Sequence, residues 1–263
     1  MGKVISVLNE KGGVAKTTTV KNLSVGLASR GKKVLAVDID PSANLTSSLG
    51  YFNLGDDTAT IMDLFKLSEQ CEDIPEGMGI LHTEEGIDLI PSTTAFHDFE
   101  PVLLCAMQKE IVLRRIIYPL TDKYDYIFLD CPAGLGIFVT NALFASDEII
   151  IPVQPQFLGA TAMMNLFAYI NKVRKLNGTG VKPELLGILF TMVRMNTNND
   201  TVLLRQFRET YEGRQRIFNT LIPNSVRFSE SDGEGMSIYK YAPKSASALV
   251  YNDFVDEFLK VEG

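Results

Sequence analysis

Short apolar runs rich in valine and isoleucine recur along the chain, each followed by a longer stretch whose apolar residues return at helical spacing. The runs are VISVL (4–8), KVLAVDI (33–39), IDLIPS (87–92), YDYIFLD (124–130), EIIIPVQ (148–154) and LLGILFT (185–191). Read as strands buried on both faces, they imply a parallel sheet covered by its crossover helices. Helices are expected near 16–30, 94–120, 138–146, 158–176, 200–212 and 245–260. Between Tyr51 and Gly86 the pattern weakens, and one helical stretch, TIMDLFKL (60–67), stands out. That segment reads as an excursion from the sheet rather than a second domain. The expected fold class is α/β: a doubly wound, mostly parallel sheet with helices on both faces, with residues 1–263 forming one domain.

Composition narrows the chemistry. The 263 residues are 46% hydrophobic and 22% charged, enough for a full core. A formal net charge of −7 argues against a protein that coats nucleic acid by charge alone, although a local basic patch remains open. Cys71, Cys105 and Cys131 lack the spacing of a zinc site or disulfide framework, which fits a reducing cytoplasm. No run reaches the roughly 20 apolar residues of a membrane span, and no signal segment is visible, so a soluble protein is expected. The opening MGKVIS matches a myristoylation pattern, but it reads better as the start of a buried strand. The acidic run around Glu84–Glu85 reads as a solvated loop and hairpin. His82 and His97 lack partners at metal-ligand spacing and read as structural or surface residues.

The stretch NEKGGVAKTTT, Asn9 to Thr19, carries the strongest chemical signal. A strand ends before it and a helix begins near Lys16, the setting of a phosphate-binding loop. Backbone N–H groups there converge, and the helix dipole adds positive potential. Lys16 offers charge to the β- and γ-phosphate oxygens, and the Thr17 hydroxyl can ligate Mg²⁺. VDIDPSANLT then sets Asp38 and Asp40 at the end of a second strand, and DCPAGLG begins with Asp130 at the end of another. Ligands of open α/β sheets gather at such strand ends. Asp130 is a candidate to hold Mg²⁺ or its waters, and the turn after it to sense the γ-phosphate.

KGGVAKTT, VDIDPSANLT, DCPAGLG, IPVQPQFLGA and IPNSVRFSE occur in that order. Together they resemble the ParA/Soj partition ATPases, P-loop NTPases of the deviant Walker A class that also includes MinD. The resemblance covers nearly the whole chain. It implies ATP and Mg²⁺ as ligands and a nucleotide contact made by Lys11, Gly12, Gly13, Val14, Ala15, Lys16, Thr17 and Thr18. It implies that Lys11 reaches phosphates of a second subunit in an ATP-dependent homodimer, with Gly12 at the dimer contact. Asp40 would orient the attacking water, and Asp38 and Asp130 would support the Mg²⁺ shell beside Thr17. Most relatives have glycine where Ala15 stands, so Ala15 is expected to take a negative φ or a slightly altered loop. The adenine is expected near Met192 and Pro223. IPVQP (151–155) reads equally as a plain buried strand and turn.

The resemblance further implies slow hydrolysis stimulated by a ParB-like centromere-binding partner, and nonspecific DNA binding by the ATP dimer on the nucleoid. One family arginine is kept as Arg227, while the other position falls on Asn196, for which Arg194 is the candidate replacement. Lys244 and the arginines at 205, 208, 214 and 216 accompany them, yet residues 181–263 hold 10 basic and 11 acidic side chains. A DNA surface therefore requires segregation of charge in space. A MinD-like positioning cycle on a membrane or protein partner is the alternative, but the acidic tail ALVYNDFVDEFLKVEG reads as a helix packed on the core, so no membrane contact is expected. A reductase of the nitrogenase iron-protein kind lacks its paired cysteines here, and a nucleotide-binding scaffold without activity leaves Lys16, Asp40 and Asp130 unexplained.

Overall fold

The computed structural model describes residues 1–155, 160–176, 182–194, 198–211, 213 and 215–262. Eight strands form one sheet: β1 (Lys3–Val7), β2 (Val34–Asp38), β3 (Leu81–His82), β4 (Asp88–Ile90), β5 (Tyr126–Asp130), β6 (Glu148–Val153), β7 (Glu184–Val193) and β8 (Ile217–Pro223). Their spatial order is β3-β4-β2-β5-β1-β6-β7-β8, and every pair is parallel except β3 with β4. From β1 the chain winds outward first to one side and then to the other, so the loop leaving β1 opens at the switch point where ligands of such sheets bind.

Period-two alternation divides the strand residues between two cores. Val4, Leu35, Val37, Ile127 and Leu129 pack on one face with α3 (Ile61–Glu69), α5 (Val112–Ile117), α6 (Ile137–Ala145) and α7 (Ala160–Leu176). Ile5, Val7, Ala36 and Phe128 pack on the other with α1 (Lys16–Ala28) and α11 (Ala246–Glu262). Burial on both faces explains why the strands read as continuous apolar runs. The acidic tail is indeed a core helix: Tyr251, Phe254, Val255 and Phe258 of α11 are buried, although Leu249 is exposed. No helix among the described residues is long and apolar enough to cross a membrane.

Several expectations differ in detail. The helix expected over 94–120 is interrupted: a 3-10 turn (Thr94–Phe99) leads into α4 (Glu100–Cys105), then α5, then a second 3-10 turn (Tyr118–Leu120). Pro101 and Pro119 each sit at the start of a short helix, where a missing N–H is tolerated and continuation from upstream is not. The apolar pattern does not announce β8, nor α2 (Asn44–Ser48), α9 (Val226–Gly233) and α10 (Ile238–Tyr241). Within the 51–86 excursion, Thr60 and Asp63 form a capping box for α3, and β3 pairs with β4 as a hairpin. The acidic turn of that hairpin is more than a solvated loop. Glu85 accepts bonds from the Ser237 N–H and hydroxyl, both at 2.8 Å, and Glu84 pairs with Lys240 at 2.9 Å. His82 is an exposed partner of Asp88.

Candidate functional site

The loop after β1 is braced before it reaches the helix. Asn9 donates its amide to the Pro152 carbonyl at 2.7 Å and accepts from the Lys11 N–H at 3.0 Å. The IPVQP segment thus has a structural job, and residues 156–159 beyond it lie outside the described residues. Thr191 of β7 donates to the Val14 carbonyl at 2.9 Å, and the Gly134 N–H donates to the Glu10 carbonyl at 2.8 Å. Loop 131–136 is therefore fastened to the loop after β1.

Ala15 departs from expectation. Its φ is 62° and ψ 36°, a left-handed backbone. The reason is the turn into α1: Ala15 is the residue before its first turn, its carbonyl accepts from the N–H of Thr19 at 3.0 Å and the hydroxyl of Thr19 at 2.7 Å, and Gly13 is also left-handed at φ 70°. A β-carbon in that region costs about 1–2 kcal/mol, partly offset by glycine's larger unfolded-state entropy of about 0.4–1 kcal/mol. Ala15→Gly is expected to raise the melting temperature by about 1–4 °C, measured by calorimetry. A lower melting temperature would mean the alanine methyl makes a compensating contact.

Lys16 is buried and donates to the Lys11 carbonyl at 3.2 Å. Lys11 itself is exposed. Thr17 donates to Asp130 Oδ2 at 2.7 Å, while the other oxygen of Asp130 is buried without a hydrogen-bond partner among the described residues. Asp38 and Asp130 are register partners on neighbouring strands. Both oxygens of Asp38 are engaged: Oδ1 accepts from the Asp40 N–H at 3.2 Å, and Oδ2 from the Thr46 N–H and hydroxyl at 2.9 and 2.7 Å. Asp40 accepts from Ser42 N–H and Oγ at 2.9 and 2.6 Å and lies on the cleft wall.

Burial dominates the electrostatics. It lifts the Asp38 carboxyl to about 7, against the hydrogen bonds from Thr46 and Asp40. It lifts Asp130 well above the carboxylate range, and the neighbouring Asp38 charge adds to the effect. Two buried carboxyls side by side with one orphaned oxygen fit a hard cation, since Mg²⁺ takes oxygen ligands and completes its shell with phosphate and water. Among the described residues no group of three or more His, Cys, Asp or Glu could hold a metal unaided. The set of Thr17 and Asp130, with Asp38 behind, therefore suits a cation that arrives with a nucleotide. Burial also pushes the Cys131 thiol far up, so it is not a nucleophile.

Above these groups opens a cleft of about 620 Å³, lined by Gly12 to Thr18, Asp40 and Ala133 on the phosphate side. Its far wall contains Met192 and Pro223 together with Asn224, Phe228, Ser229 and Asp232. Val193 and Pro223 are register partners, and the Asn224 N–H donates to the Val193 carbonyl at 3.0 Å, so the ends of β7 and β8 form this wall as a unit. Arg194, whose N–H donates to Asp200 at 2.9 Å, and Arg227 follow those two strand ends and are exposed. Lys244 is exposed in the turn between α10 and α11, and the strand register does not bring it to them. Arg208 donates to the Phe218 carbonyl at 3.0 Å. Asn196 and Arg214 lie outside the described residues. Asn9 and Thr46 fall inside the quoted motifs but have no role read from them, and Thr191 and Asp232 carry no motif signal.

A family described as an AAA domain matches residues 2–182. The sporulation initiation inhibitor protein Soj of Bacillus subtilis is 35% identical over 266 residues, covering 98% of each chain. The chain belongs to the ParA/Soj family of partition ATPases. The chromosome-partitioning ATPase Soj of Treponema pallidum is 31% identical, with 100% of this chain and 99% of that one covered. Among solved structures, cobyrinic acid a,c-diamide synthase of Mycobacterium smegmatis with bound ADP and magnesium has a TM-score of 0.80 at 29% identity, covering 99% and 95%. MinD of Pyrococcus horikoshii complexed with Mg-ADP has a TM-score of 0.78 at 26% identity, covering 100% and 98%. These two neighbours share the fold of the chain while differing from the partition ATPases in named activity, so its function rests on its own site.

Proposed function

We propose that the protein binds MgATP, dimerises around it, and hydrolyses it slowly in a DNA-partitioning cycle that uses nonspecific DNA and a ParB-like centromere-binding partner. The observation that carries this reading is the orphaned, buried oxygen of Asp130 beside the Thr17 hydroxyl at the mouth of a braced phosphate loop. Relatives named as partition ATPases, and neighbours solved with magnesium and adenine nucleotides, support it.

Each side chain then has a task. Lys16 and the loop N–H groups cradle the phosphates, and the wall of Met192 and Pro223 takes the base. Thr17 and Asp130 would hold Mg²⁺, which would supply charge neutralisation to the bound phosphates. Asp40 orients the attacking water, and Asp38 fixes Asp40 by accepting its N–H. Lys11 acts on the partner's phosphates. Among the described residues a Cβ built at Gly12 would meet only Ala133 Cβ, at an ordinary 3.8 Å, so no described neighbour in the chain requires glycine there. Close approach of a second copy does. Arg194 and Arg227 serve DNA, and Lys244 is a third candidate. Because α11 buries its apolar face in the core, a membrane cycle has less support.

The test is the oligomeric state by light scattering. A dimer is expected with MgATP and a monomer with MgADP or EDTA, and Gly12→Val should stay monomeric while still binding ATP. A monomer in every state would overturn the dimerising cycle.

A further inference from the structure

Lys21 lies in α1, five residues beyond Lys16, and its side chain is completely buried. An ammonium has three donors, and here each finds an acceptor: Asp232 Oδ1 at 2.5 Å, the Met236 carbonyl at 2.7 Å and the Ser48 carbonyl at 3.3 Å. These acceptors belong to three different places. Ser48 ends α2, the helix whose Thr46 holds Asp38. Asp232 lies in the last turn of α9, the helix whose second residue is Arg227. Met236 is in the strap from α9 to α10.

Burial pulls the ammonium below the usual lysine range, and Asp232 opposes that pull. A buried ion pair is weak evidence for stability, since an apolar pair of similar volume usually does as well. What this pair supplies is connection. Ser48 and Asp232 both line the nucleotide cleft. Where the strap crosses the turn after α2, a Cβ on Gly235 would come within 2.5 Å of Gly50 Cα, so the two backbones are in close contact. Asn22, the next residue of α1, accepts the Ile238 N–H at 2.9 Å and anchors the start of α10.

We propose that Lys21 is a positioning residue that couples the nucleotide cleft to α9, so that occupancy of the cleft sets the placement of Arg227. A ligand that shifts α2 or Asp232 acts directly on two of the three acceptors of one ammonium, and the third holds the strap that closes α9. The inference rests on the reading of the cleft as an ATP site and of Arg227 as a DNA contact.

The experiment compares the full-length protein with Lys21→Met, using ATP and ADP with Mg²⁺. Amide hydrogen exchange is read at residues 234–236, whose N–H groups bond back to the end of α9 and which do not line the cleft. In the parent protein ATP should slow this exchange about fivefold relative to ADP, a coupling of ordinary allosteric size. In Lys21→Met, ATP affinity should stay within about threefold while the exchange response disappears. If Lys21→Met does not fold, Asp232→Asn keeps the shape and one acceptor and should show the same loss at smaller amplitude. A full response in the variant, or none in the parent protein, would overturn the proposal. DNA affinity is the second readout: the ATP-to-ADP ratio should fall about tenfold in the variant. A parent protein with the exchange response but no ATP-dependent DNA binding would instead remove Arg227's assigned role and leave the coupling intact.

Discussion

Asp40→Ala should bind MgATP about as tightly as the parent protein and hydrolyse it about 100-fold more slowly, the usual scale for losing a group that positions or activates the nucleophile. That corresponds to about 2.7 kcal/mol in the barrier. The effect is confined to turnover because Asp40 lines the cleft without holding the phosphate loop, and its backbone N–H remains bonded to Asp38. Removing the side chain does release Ser42, whose N–H and hydroxyl both bond to it. Asp40→Asn separates the two effects, since an amide oxygen can still accept from Ser42. Both variants should lose phosphate release to the same degree in a steady-state assay. Normal turnover by Asp40→Asn would show that the carboxylate charge is not what the reaction uses.

Asp130→Asn should be a more stable and nearly inactive protein. Burial raises the folded-state pKa of Asp130 and lifts Asp38 to about 7. The sign follows from linkage: groups with raised folded pKa values contribute stability that is complete below the unfolded value, about 3.9, and that is lost as pH rises through the folded value. Without metal, the protein should therefore lose stability from this pair as pH rises above about 4, for Asp38 up to about 7. An asparagine does not ionise, so Asp130→Asn should melt higher than the parent at pH 8 in EDTA, with the difference vanishing toward pH 4. With MgATP the order reverses. The parent gains stability and the variant does not, and hydrolysis falls about 100-fold or more. Thermal melts at several pH values with and without MgATP check both halves. A variant that keeps the MgATP-induced shift would remove Asp130 from the metal site.

The alternation of apolar residues made most of this fold legible, because strands buried on both faces leave unmistakable runs such as VISVL and YDYIFLD. β8 was hidden because it lies at the sheet edge and carries Asn219 and Thr220 in mid-strand, whose N–H groups bond to Glu257 of α11. That is a tertiary contact no local pattern announces. The helix over 94–120 failed for a local reason that was visible, the two prolines. At the site, the motifs brought Lys16, Thr17, Asp38, Asp40 and Asp130 to one end of the sheet as read. What they did not reveal is the division of labour between the carboxylates: Asp38 is saturated by Thr46 and Asp40, and Asp130 has an oxygen to spare. Ala15 is left-handed against the preference of its residue type for negative φ, because the turn into α1 dictates the angle.

The most direct test of the central claim is binding of nonspecific duplex DNA by Asp40→Ala across a salt series, with ATP and with ADP, beside the same protein carrying Arg227→Ala. The account predicts binding with ATP alone, stronger as salt falls, and weakened by Arg227→Ala with a shallower salt dependence. A dimer that forms with ATP yet binds no DNA at any salt concentration would contradict it.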